Sequence, residues 1–111
     1  MNKISVMTCD KLKNKCTGTN CFEAFQNRED AFEIYKDKDV IIGAFFSCNG
    51  CDEKLDESMA YMFDQLRRKK IETIHMAYCI EVECNRYDEI YSVLENEGFN
   101  VVKGSHVSVY K

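Results

Sequence analysis

Apolar and polar positions along the chain follow two different periods. Four short stretches carry apolar residues without helical spacing: Lys3 to Thr8, Val40 to Phe46, Thr73 to Tyr78, and Phe99 to Lys103. The second is a continuous apolar run broken only by Gly43. A run without polar alternation predicts a strand buried on both faces, as in a parallel sheet. A fifth stretch, His106 to Tyr110, alternates apolar and polar residues and is expected at a sheet edge or in a tail.

Helical spacing fills the intervals. Asn20 followed by Glu23 reads as a helix cap, with Phe22 and Phe25 behind it. A second start at Asn27 and Asp30 leads into Ala31, Phe32 and Tyr35. The clearest pattern begins near Asp52, where Leu55, Met59, Met62, Phe63 and Leu66 form a core-facing stripe. That periodicity assigns the methionines to the core rather than to metal ligation. The last helix starts near Asn85, carries Tyr87, Ile90, Tyr91 and Leu94, and ends at Gly98 as a C′ residue. Strands alternating with helices predict an α/β fold: a small three-layer, doubly wound, mostly parallel sheet of four to five strands, flavodoxin-like in type.

Composition leaves this picture intact. A chain of 111 residues, 45% hydrophobic and 31% charged, suits one soluble domain spanning residues 1–111. No secretory leader or membrane-spanning stretch is read, so a cytoplasmic location without membrane association is expected. The net charge is −4, and the basic run Arg67, Arg68, Lys69 and Lys70 closes a predicted helix, where cations complement the dipole. With no aromatic stacking surface or second basic stripe, no nucleic-acid partner is expected.

Seven cysteines change the picture. An odd count in a reducing compartment points to metal or thiol chemistry rather than a disulfide framework. The fold then predicts where they meet. In a parallel sheet the carboxyl ends of all strands share one edge, and ligands bind outside it. Cys9 follows the first strand, Cys48 and Cys51 the second, and Cys79 the third, while Gly104, Ser105 and His106 follow the fourth. Cys16, Cys21 and Cys84 are expected in loops leaving the same edge. Cys48-Asn49-Gly50-Cys51 precedes a helix, whose free N–H groups favour thiolates. Four sulfurs, from Cys9, Cys48, Cys51 and Cys79, make the simplest metal site, suited to a zinc ion or to an iron–sulfur cluster. Cys16, Cys21, Cys84 and His106 remain as secondary ligands or groups supporting them. His75, inside the third strand, is expected to be structural and distant from this edge.

These residues resemble the CGGC domain, a group of small prokaryotic proteins named for a central Cys-Gly-Gly-Cys. The similarity runs through Cys9, Cys16-Thr17-Gly18-Thr19-Asn20-Cys21, Ala31-Phe32-Glu33-Ile34-Tyr35, Gly43 to Cys48, Cys79 and Gly104-Ser105-His106. Asn49 replaces the first central glycine, and Cys84-Asn85 stands where Cys-Pro is expected. The resemblance implies a metal-binding protein, with zinc suggested, and names no substrate.

Two other functions fit the residues. A thiol–disulfide redox protein would use Cys48 as the attacking thiolate and Cys51 to resolve, although the chain has no proline to face such a pair. A metalloenzyme would need an acid or base near an open coordination position. His106, Asp10, Glu53 and Glu81 are candidates by position, but the three carboxylates are more simply solvated surface. The partner expected from the sequence is thus the metal ion, and no protein partner is indicated.

Overall fold

The four apolar runs form four strands: β1 (Asn2–Thr8), β2 (Val40–Ser47), β3 (Thr73–Met76) and β4 (Asn100–Lys103). The computed structural model describes residues 2–9, 17–47, 57, 59–83 and 86–105. All pairings are parallel, in the order β2-β1-β3-β4. This is the order of the first four strands in a flavodoxin-type sheet. The fifth expected strand falls on residues outside those described.

Both faces of the sheet are covered. Five successive residues of β1, Ile4 to Thr8, are buried, and successive side chains point to opposite faces. On one face, register aligns Phe45, Val6, His75 and Val102. Against it lie helix α1 (Thr19–Gln26) and a 3₁₀ segment (Asp30–Tyr35), through Phe22 on Phe45 and Phe32 on His75. The opposite face carries Met7, Met76 and Lys103 in register. There the Lys103 ammonium lies over the Tyr91 ring of helix α4 (Tyr87–Asn96), at 4.9 Å. Helix α2 (Ala60–Arg68) joins α4 on that side, with Phe63 against Phe99 and Arg67 paired to Glu97. These contacts give the three expected layers.

The stripe predicted for α2 is real: Met59, Phe63 and Leu66 are buried in the core and Met62 is partly buried against it. Residues 52–56, where that helix was expected to begin, lie outside the described set. In β2 the register skips Gly43, a bulge in an edge strand. A Cβ at Gly43 would come within 3.0 Å of Ile71 Cδ1 and 3.1 Å of Lys3 Cβ.

Three local expectations are corrected. Helix α1 is capped by Gly18 in the left-handed region (φ 80°), not by Asn20, so Cys21 lies inside a helix rather than in a loop. β3 ends at Met76 instead of Tyr78, and a short helix, α3 (Tyr78–Glu83), follows. The segment after Asn27 is 3₁₀ rather than α-helical. Among the described residues, no helix is long and apolar enough to cross a membrane.

Candidate functional site

The chain runs β1 to β2 in one direction across the sheet and β2 to β3 back past β1. The strand order therefore reverses between β1 and β3, and ligands of open α/β sheets bind outside the carboxyl ends at such a point. Cys9 and Cys79 flank that point. The ladder stops where the Ala77 N–H donates to Met7 O (2.9 Å) and the Gly104 N–H to Met76 O (2.8 Å). Beyond it, the backbone N–H of Cys9 donates to the Cys79 sulfur at 3.2 Å. Both cysteines are buried thiols, 3% and 7% exposed.

A second cluster stands beside them. Ser105, fully buried, receives the Tyr78 N–H at 3.2 Å and the Cys21 thiol at 3.4 Å on its hydroxyl oxygen. Its carbonyl accepts the Ala31 N–H at 3.1 Å. The preceding Gly104 is held by His75. A carbonyl oxygen can only accept, so His75 Nδ1 carries the proton and donates to Gly104 O at 2.9 Å. Nε2 then accepts from the Tyr35 hydroxyl at 2.7 Å. His75 is structural, as expected, but its ring reaches the carboxyl edge instead of lying far from it. Burial lowers its pKa against the smaller, opposing effect of the Gly104 bond, and burial raises that of Tyr35.

Of the expected ligands, the structure brings Cys9 and Cys79 together and places Cys21 on Ser105. Ser47, the last residue of β2, pairs with Thr8, and Cys48 is next in the chain. Cys48, Cys51, Cys16, Cys84 and His106 lie outside the described residues, as do Asp10 and Glu53, while Glu81 falls in α3. Among the described residues, no three His, Cys, Asp or Glu side chains converge on one point. Tyr35 and Ser105 were missed as members of the cluster. Their signal was the pair of segments Ala31-Phe32-Glu33-Ile34-Tyr35 and Gly104-Ser105-His106, which carry the family pattern.

A model of the CGGC domain matches residues 3–106. The chain belongs to the CGGC domain family. An uncharacterized protein of Methanocaldococcus jannaschii is 30% identical over 119 residues, spanning 98% of this chain and 90% of its own length. No solved structure matches. In this CGGC domain the family's cysteine-rich pattern thus coincides with the strand reversal: its first-strand and third-strand cysteines are hydrogen-bonded neighbours.

Proposed function

We propose that this CGGC domain binds a metal ion at the carboxyl edge of its sheet, with Cys9, Cys48, Cys51 and Cys79 as ligands and zinc as the ion. The observation that carries the reading is the Cys9 N–H bond to the Cys79 sulfur across the β1/β3 reversal. The donor chemistry fits. Two buried thiols stand at the position where such folds bind ligands, and a backbone donor is aimed at one of them. A closed set of four thiolates would supply structural cross-linking rather than an open catalytic position. Ser105, anchored through Cys21 and Tyr78, and Gly104, anchored through His75, hold the chain entering His106. Thiols of this kind persist in a reducing compartment, which supports a cytoplasmic location.

Elemental analysis of protein purified without added metal tests this. About one zinc per chain is expected, falling severalfold in Cys9→Ser and Cys79→Ser variants. Iron with absorbance at about 400 nm would replace zinc by an iron–sulfur cluster. A metal-free, fully folded protein whose thiols all titrate freely would overturn the reading.

A further inference from the structure

The opposite edge of the sheet carries a second feature that the cysteine site does not use. The strands begin there, with Asn2 beside Val40 and Ile4 beside Thr73. Around these strand starts lies a cavity of about 670 Å³ lined by Lys3, Lys38, Lys69, Lys70, Glu72 and Tyr35, among others. Four lysines and one glutamate thus line it, in a chain whose net charge is −4.

The basic run at the end of α2 divides in the structure. Arg67 pairs with Glu97 at 3.1 Å and Arg68 with Asp64 at 2.8 Å. Lys69 and Lys70 instead line the cavity together with Lys3 from β1 and Lys38 from the segment before β2. Among the described residues, none of these four lysines has a side-chain hydrogen bond or ion pair, although Asp37 and Asp39 flank Lys38 in sequence. Like charges brought together from three separate chain segments repel one another and are stabilised by a bound anion. Lysine binds phosphate as a mobile point charge. A cavity of this size takes a small molecule. A nucleic-acid strand would call for an extended basic groove with aromatic rings to stack on. The one ring at the cavity, Tyr35, has its hydroxyl committed to His75 and its carbonyl to Arg28.

We propose that this lysine-lined cavity at the amino edge of the sheet binds a small, multiply charged phosphate compound. The site lies at the strand starts, whereas the proposed metal site lies at the strand ends, so the two readings stand or fall separately.

The test is an amide-resolved NMR titration of the full chain with inorganic phosphate and with pyrophosphate, at constant ionic strength set by chloride. Saturable shifts are expected at Lys3, Lys38, Lys70 and Thr73, with pyrophosphate binding about tenfold more tightly than phosphate because it presents more charge to the same lysines. A Lys38→Gln/Lys69→Gln variant, altered at two exposed positions, should keep its spectrum and lose affinity for pyrophosphate by about tenfold or more. Shifts that do not saturate, or that the variant leaves unchanged, would overturn the proposal. So would a single-stranded RNA oligonucleotide binding more tightly than pyrophosphate with a steep dependence on salt, which would assign the surface to nucleic acid.

Discussion

His75 has no contact with solvent, and both ring nitrogens are bonded within the protein. Replacing it with Phe keeps the ring stacked near Phe32 but leaves the Tyr35 hydroxyl and the Gly104 carbonyl without their partner. That should cost about 2–4 kcal/mol, measured by urea unfolding, whereas Tyr35→Phe should cost about 1 kcal/mol. The same residue sets a pH dependence. Its folded-state pKa lies below the ordinary value, so the unfolded chain takes up the proton first as pH falls. The stability that neutral His75 contributes is complete above about pH 6.5 and is lost as pH drops through the lower folded value. Urea midpoints at about pH 7.5 and about pH 5 should therefore differ more in the native protein than in His75→Phe. The need of a strand histidine for a partner was legible in the sequence. The identity of the partners was not, because Tyr35 and Gly104 are 40 and 29 residues away.

At the scale of elements, the positions that decide where helices begin and end are backbone positions. Gly98 follows α4 with φ 91°, the terminator expected from the sequence. Gly18 opens α1 with φ 80°, and a Cβ there would lie 2.8 Å from Phe45 Cζ. Gly18→Ala should therefore destabilise by about 1–3 kcal/mol in chemical denaturation, through strain and overpacking together. Phe45→Leu should recover part of that loss by withdrawing the ring edge. Asn20 resembled a cap because its residue type is right. The turn is instead fixed by the approach of a β2 side chain, which local spacing cannot report. Arg28 is a second such element. Its guanidinium bonds the carbonyls of Phe25, Tyr35, Lys38 and Val40 at 2.6–3.4 Å, tying α1 and the 3₁₀ segment to the start of β2. Arg28→Met should cost about 2 kcal/mol in urea unfolding, by removing several charge-assisted bonds at once from carbonyls that otherwise keep only backbone partners such as the Lys38 N–H on Tyr35 O.

For the whole molecule, the proposed metal site would tie β1, β2 and β3 together at one edge. Chelator-treated protein should then unfold at lower urea concentration than protein as purified, with stability restored by adding zinc. The sequence by itself determined the layer architecture and the edge at which Cys9 and Cys79 meet. Period and the succession of elements along the chain are local properties, and parallel strands necessarily end on one side. Only the tertiary structure decided that β3 stops at Met76. Past that residue the Ala77 N–H makes one last bond to Met7 O of β1, and the Tyr78 N–H finds the Ser105 hydroxyl rather than a strand. It also decided that Cys21 is buried on Ser105, and that Lys69 and Lys70 line one cavity with Lys3 of β1 and Lys38 from before β2. Those juxtapositions join residues tens of positions apart, and their cause is the packing of layers rather than any spacing along the chain.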